Sequence, residues 1–261
     1  MKKIFLIIVT MLVTINSFSQ IKVGLKAGYN MATISDLDLS VKNLSLKLFE
    51  KDGVYQGFNG GIFANFNFGI IGFQPELLFS TQGGKQKFDI MGIVGVIPDD
   101  YLDYLFDIEE IRGFKINLYY KTSYITLPLL IEIKPFTFTN LGILIGPQFG
   151  MNLSKELSIS ISNPELIKYL EIKATFTNSD IDDFVDELLK ENPNSKNPFK
   201  KMDSGLVMGL QYPFLDKMTI CARYYLGLTD SFNLYLKNDD ITARLKGWKN
   251  SVFQISMGIS F

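Results

Sequence analysis

The 261-residue chain has no histidine, a single cysteine and nearly balanced charge, with 26 basic against 27 acidic residues. Lack of histidine excludes a Ser-His triad, an imidazole acid or base and any His metal site, so no enzymatic activity is expected. Cys221 alone cannot form an internal disulfide, and a net charge of −1 offers no basic footprint for nucleic acid.

Met1-Lys2-Lys3 forms a positive start, Ile4 to Val13 an apolar core broken only by Thr10, and Ser17-Phe18-Ser19 puts small residues before a cut at Gln20. A cleaved signal peptide over 1–19 is expected, leaving 20–261 as one domain. The apolar run is too short for a spanning helix, which needs about 20 residues. Beyond Gln20 no run approaches that length, since even Tyr124 to Ile133 contains Thr126, Pro128 and Glu132. Removing Lys2 and Lys3 takes the balance to 24 basic against 27 acidic residues. With 22 Phe, 12 Tyr, 21 Gly and a mean hydropathy of +0.15, the composition suits strands that are apolar on one side only.

Eight segments alternate with the period of two that a strand imposes on its side chains: about 22–33, 57–68, 70–82, 117–134, 138–152, 204–213, 217–229 and 250–261. The first sets Val23, Leu25, Ala27, Tyr29 and Met31 against Lys22, Gly24, Lys26, Gly28 and Asn30. Only the second is ambiguous, because Phe63 falls among Asn59, Gly61, Asn65 and Asn67. The fifth sets Leu141, Ile143, Ile145, Pro147, Phe149 and Met151 against Gly142, Leu144, Gly146, Gln148, Gly150 and Asn152. The seventh opposes Met218, Ile220, Ala222, Tyr224, Leu226 and Leu228 to Thr219, Cys221, Arg223, Tyr225, Gly227 and Thr229. In the last, Phe253, Ile255, Met257, Ile259 and Phe261 share one face up to the final residue, as a strand closing a transmembrane barrel would.

Short links at Phe68-Gly69-Ile70, Pro135 to Thr137 and Pro213 to Asp216 alternate with long ones at about 34–56, 83–116, 153–203 and 230–249. The pattern predicts an all-β fold: an eight-stranded antiparallel up-and-down transmembrane β-barrel with short periplasmic turns and long extracellular loops. A soluble periplasmic lipocalin-like carrier is the alternative, but it would turn its apolar faces inward. Tyr29, Phe73, Phe79, Tyr119, Tyr120, Tyr124, Tyr212, Trp248 and Phe261 fall where an aromatic girdle requires them. In the third long loop Ile181, Phe184, Val185, Leu188 and Leu189 recur at helical spacing over 180–190, with Ser179 or Asp180 able to cap and Asn192-Pro193 to stop the element. This helix either folds back over the barrel mouth or offers a partner-docking face. The acidic second loop, Ile90 to Gly113, reads as a solvated face, without the twelve-residue pattern of a calcium loop.

Lys22-Val-Gly-Leu-Lys-Ala-Gly-Tyr-Asn30, Gly72-Phe-Gln-Pro-Glu-Leu-Leu-Phe-Ser80, Tyr124-Ile-Thr-Leu-Pro-Leu-Leu-Ile-Glu132, Gly146-Pro147, Ala222-Arg-Tyr-Tyr-Leu-Gly-Leu-Thr229 and the Phe-terminated last strand together resemble the small outer-membrane β-barrel proteins of Bacteroidetes, the PorT-like family. The resemblance covers nearly all of the mature chain. It implies residence in outer-membrane lipid and assembly by the barrel-insertion machinery, which would read the C-terminal strand. It implies no single activity, although some members are tied to secretion. The expected function is therefore structural or interaction-based, an accessory to secretion or surface attachment working through an envelope or secretion protein at the loops. No cofactor or metal is expected.

The charged residues on the inward faces are Lys26, Glu76, Glu132, Lys134 and Arg223. An eight-stranded barrel is just filled by its side chains, so these should pair. They either plug the lumen as a salt-bridge network or form a small gated pore for ions or small solutes.

Overall fold

The computed structural model describes residues 20–41, 44–88, 115–135, 139–162, 171–191, 196–237 and 242–261. The expected signal peptide, the acidic 90–113 segment and the Asn192-Pro193 stop lie outside these residues. In chain order the elements are β1 (Gln20–Ile34), β2 (Leu37–Val41), β3 (Leu44–Gly53), β4 (Tyr55–Phe68), β5 (Ile71–Phe88), β6 (Lys115–Ile133), β7 (Gly142–Ser162), β8 (Glu171–Phe176), α1 (Asn178–Glu191), β9 (Met202–Leu215), β10 (Met218–Gly227), β11 (Phe232–Lys237), β12 (Thr242–Gly247) and β13 (Asn250–Ser260).

Eight of these strands close a ring in the order β1, β4, β5, β6, β7, β9, β10, β13 and back to β1, every pair antiparallel. The closing seam runs from Gly24 opposite Ser260 to Ile34 opposite Asn250. The Phe261 amide extends it by donating to the Val23 carbonyl at 2.9 Å. Each of the eight expected segments is one of these strands. The links at Phe68-Gly69-Ile70 and before Met218 are tight as expected, with Gly69 at φ 89° in the β4–β5 turn, a conformation that glycine adopts without steric cost, while Phe136 and Thr137 of the remaining link lie outside the described residues.

The alternation determines which face is which. On β10 and β13 every second residue is buried and the residues between them are exposed. The exposed rows are apolar: Leu25, Ile62, Leu77, Ile145, Leu210, Ile220 and Ile255 are all two-fifths or more exposed. A soluble carrier would have the opposite arrangement. Aromatic residues border this band at both ends. Phe58 lies against Phe79 at 5.7 Å between ring centroids near the long-loop end, and Phe66 against Phe73 at 6.3 Å near the turns. Phe58 and Phe68 are ten residues apart on β4, about 33 Å of strand, which a tilt of about 40° reduces to about 25 Å, the height of a bilayer's apolar band. Tyr120, Tyr124 and Trp248 do not belong to this girdle as expected. They are buried inside, at 1%, 2% and 3% exposure.

The long links differ most from the expectation. β5, β6 and β7 run to 18, 19 and 21 residues, well past the 9–11 that span a bilayer. Their surplus carries additional sheet. β3 pairs with the far end of β5, β2 with β3, β12 with β2 and β11 with β12, while β8 pairs with the far end of β7. These strands and α1 form a folded head above the barrel. The sequence carried a signal for them, since Leu37, Leu39 and Val41 alternate with Asp38 and Ser40. Such five- and six-residue runs were absorbed into the long links.

Phe63 is the exception to polarity on the inward face of β4, and packing accounts for it. Its ring lies over Gly24 and Gly258, where a Cβ would come within 2.7 Å and 3.1 Å of the ring. Glycines on two neighbouring strands thus make room for one large inward residue. Phe63→Ala empties that space and is expected to cost about 3 to 5 kcal/mol, measured by equilibrium urea unfolding in lipid vesicles.

Candidate functional site

The lumen is built from inward residues that parity along each strand places there. β5 and β10 lie opposite each other in the ring, and the side chains of Glu76 and Arg223 meet across its full width. Glu76 Oε2 accepts from Arg223 Nη1 at 2.6 Å, while Glu76 Oε1 accepts from Lys26 Nζ and from Gln74 Nε2 at 2.7 Å. Arg223 Nε donates to Gln254 Oε1 at 2.6 Å, and the Lys26 ammonium lies 5.4 Å from the Phe63 ring centre. The side chains of Lys26, Glu76 and Arg223 have no solvent exposure. One carboxylate therefore holds two cations in a medium where an unpaired charge is very costly.

A second crossing lies nearer the turns. Glu132 on β6 accepts from Asn65 Nδ2 of β4 at 2.9 Å and from Gln211 Nε2 of β9 at 3.4 Å, and Gln74 joins Asn65 and Gln211. Lys134 stands 3.5 Å from Glu132 with 22% of its side chain exposed, at the rim of the lumen, where a funnel of about 390 Å³ opens between the turns. The inward charged residues are thus brought together in two groups: Lys26, Glu76 and Arg223, and Glu132 with Lys134.

The lumen also holds an apolar cluster, in which Leu130, Leu144, Val207 and Val252, all with 0% exposure, pack with Cys221. Toward the head Asn59 Nδ2 donates to Asn30 Oδ1 at 2.5 Å and Asn30 Nδ2 to Ser80 Oγ at 3.0 Å. Asn250 Nδ2 bridges Tyr124 Oη at 3.2 Å and Asp203 Oδ2 at 2.9 Å. Sequence reasoning missed Asp203 and the amide side chains Gln74, Gln82, Gln86, Gln211 and Gln254. Parity on β5, which sets Gln74, Gln82 and Gln86 on the buried face, was the available signal.

The mouth is closed by a lid. Trp248 stacks on Tyr120 at 4.5 Å, donates Nε1–H to Gln86 Oε1 at 2.8 Å, and packs against Phe199 and Phe232. From above, α1 inserts Ile181 and Val185 into the same cluster, with Leu189 at its periphery. Two of the residues considered as a partner face are therefore spent on the lid. Phe184 is 63% exposed, and the Leu188 side chain lies outside the described residues.

The helix spans 178–191, and its cap is neither Ser179 nor Asp180 as expected. Thr177 occupies the cap, its carbonyl accepting from the Ile181 amide at 3.0 Å. Asp180 reaches back from the third helical position to accept from the Thr177 amide and hydroxyl, each at 2.7 Å, in the manner of a capping box. These two bonds favour the ionised form and hold the Asp180 carboxyl below its ordinary value. Of the C-terminal strand, Phe253, Ile255, Met257 and Ile259 face outward at 38–45% exposure, and Phe261 is 76% exposed.

A closed ring with an apolar outer belt, aromatic borders and a polar, packed interior defines an outer-membrane β-barrel protein. The outer membrane protein beta-barrel domain family matches residues 16–233, and the chain belongs to it. The match ends before β12 and β13, so ring closure is seen only in the pairing of β1 with β13. No curated protein matches the chain. Similar solved structures include OprG from Pseudomonas aeruginosa (10% identity, 94% of this chain and 97% of that one, TM-score 0.39). They also include a major outer membrane protein from Thermus thermophilus (12%, 92% and 99%, TM-score 0.38) and the attachment invasion locus protein Ail of Yersinia pestis (10%, 92% and 98%, TM-score 0.31).

The ion network and the helix cap each lead to a measurement. Glu76→Gln leaves two buried cations without their counter-ion and should destabilise the barrel by about 3 to 5 kcal/mol in urea unfolding. Lys26→Met leaves Glu76 paired one-to-one with Arg223 and should cost clearly less. Asp180 contributes helix stability that is present above its unfolded pKa, because its folded pKa is the lower of the two. As pH falls through that folded value the contribution is lost. The Thr177 amide resonance should therefore shift in an acidic titration whose midpoint lies below the ordinary aspartate range, and Asp180→Asn should abolish the shift.

Proposed function

We propose that this outer-membrane barrel is a closed, non-enzymatic interaction protein whose working part is the head. The observation that carries this reading is the Glu76–Arg223 contact across the lumen, with the Trp248 lid above it. Together they leave the barrel as an anchor, while β2, β3, β8, β11, β12 and α1 present surface beyond it. In this reading the tight turns face the periplasm and the head faces outward. Residues 1–19 are a cleaved signal peptide, and the Phe253 to Phe261 strand addresses the chain to the barrel-insertion machinery. The protein is a PorT-like member from Bacteroidetes, accessory to secretion or surface attachment, and the head meets an envelope or secretion protein without a cofactor.

A second reading, a small gated pore, is favoured by the polar funnel of about 390 Å³ that leads from the turns toward the charged crossings. Reconstitution separates the two. Under the closed reading, vesicles carrying the wild-type protein stay tight to ions. On intact cells, proteinase should cut only within the head, near 155–202, and the membrane-embedded remainder should migrate faster before boiling than after. Stepwise currents altered by Glu76→Gln or Arg223→Gln would replace the closed reading with the pore.

A further inference from the structure

Where α1 lies over the mouth it does not fill the space beneath it. A cavity of about 850 Å³ remains between α1, the end of β8, β11 and the lid, within the range of a small-molecule site. Its floor is aromatic. The Phe199 and Phe232 rings meet edge to face at 4.9 Å, and Phe232 lies 5.2 Å from Trp248. The floor is also preset, because Trp248 is held by its bond to Gln86 and its stack on Tyr120, at a backbone φ of 65° that a bulky residue rarely adopts.

The rim carries charge of one sign. Asp180, Asp183 and Glu187 of α1 line the cavity. Asp180 is engaged by Thr177, and Asp182 on the neighbouring face by Lys155 at 3.1 Å. Asp183 and Glu187 are exposed and form no ion pair among the described residues. They stand four residues apart on one helix face, where like charges repel and weaken the helix. A cation between them would remove that repulsion. The head already contains one instance of this chemistry, since the Lys155 ammonium that pairs with Asp182 also lies 4.9 Å from the centre of the Phe199 ring.

We propose that the head cavity binds a small organic cation with an apolar body, an aryl- or alkylammonium compound. Its charged group lies between Asp183 and Glu187, and its apolar part rests against Phe199, Phe232 and Trp248, with exposed Phe184 at the entrance. A neutral hydrocarbon of the same shape would cover two carboxylates without neutralising them, and an anion would be repelled. This rests on reading the head as the working part, but it does not depend on whether the lumen conducts.

Trp248 is the chain's only tryptophan, so its emission reports on the cavity floor. The full chain in lipid nanodiscs is titrated with benzyltrimethylammonium and, separately, with neopentylbenzene, its uncharged isostere. The expected result is a saturable change in Trp248 emission with the cation and a weaker response to the isostere. Asp183→Asn with Glu187→Gln should weaken cation binding about tenfold, and Asp186→Asn, outside the cavity lining, should leave it unchanged. Heat-modifiable mobility of each variant shows that the barrel is folded. No saturable change, equal binding of the two probes, or full affinity in the folded double variant would overturn the proposal. Ion permeability of vesicles carrying the same preparations is measured in parallel. Tight vesicles without binding would sink this inference alone, whereas currents with binding would sink only the closed reading of the lumen.

Discussion

Backbone hydrogen bonding in hydrocarbon is the constraint on which the rest of this molecule depends. An open sheet edge in lipid leaves a row of amides and carbonyls with nothing to bond, at several kcal/mol for each group. The seam between β1 and β13 removes that edge, and the final amide, that of Phe261, is spent on it. Closure with eight strands has two consequences. Every outward residue in the band must tolerate lipid, and the enclosed space is just wide enough for side chains.

The narrow lumen explains its unusual contents. Strands that alternate apolar-out must alternate polar-in, and a narrow ring brings those polar groups within bonding distance of the opposite wall. Glu76 and Arg223 therefore touch across the full width, and Lys26, Gln74 and Gln254 add further bonds to the pair. A hydrophobic filling could be as stable, since buried ion pairs recover little more than their desolvation cost. What the network supplies is cross-linking: Arg223, Glu76, Lys26 and Gln254 come from four different strands, and their bonds link the walls to one another. Above it, long strands carry the pairing beyond the bilayer, and the head is built on that surplus.

Much of this was legible from particular residues. Period-two runs located all eight wall strands, and parity alone put Lys26, Glu76, Glu132 and Arg223 on the inner face. The loop strands alternate as well, but alternation over runs as short as Leu37–Val41 does not by itself mark a strand, because such runs gain stability only by pairing with neighbours already present. The helix was visible from Ile181, Val185 and Leu189, but its cap was misplaced by two or three residues. Thr177 takes the cap and donates both its amide and its hydroxyl to Asp180, whereas either Ser179 or Asp180 looked sufficient alone. Trp248 read as a girdle residue because it lies beside a strand end. Inside, Gln86 bonds its indole and Tyr120 stacks on it, partners far away in the chain.

By itself the sequence determined what is local and periodic: which residues form wall strands, which face of each is apolar, which links are tight, and that histidine chemistry is absent. Alternation determines these because a strand's geometry assigns faces without reference to any partner. Only the tertiary structure decided which inward residues meet. Arg223 reaches Glu76 rather than Glu132, Asp203 turns toward Asn250, and α1 closes the mouth while leaving a cavity beneath it. Those choices depend on the ring order of the strands, their mutual register and the width of the lumen. Such quantities relate residues far apart in the chain, 162 positions in the Trp248–Gln86 bond, and no local pattern carries them.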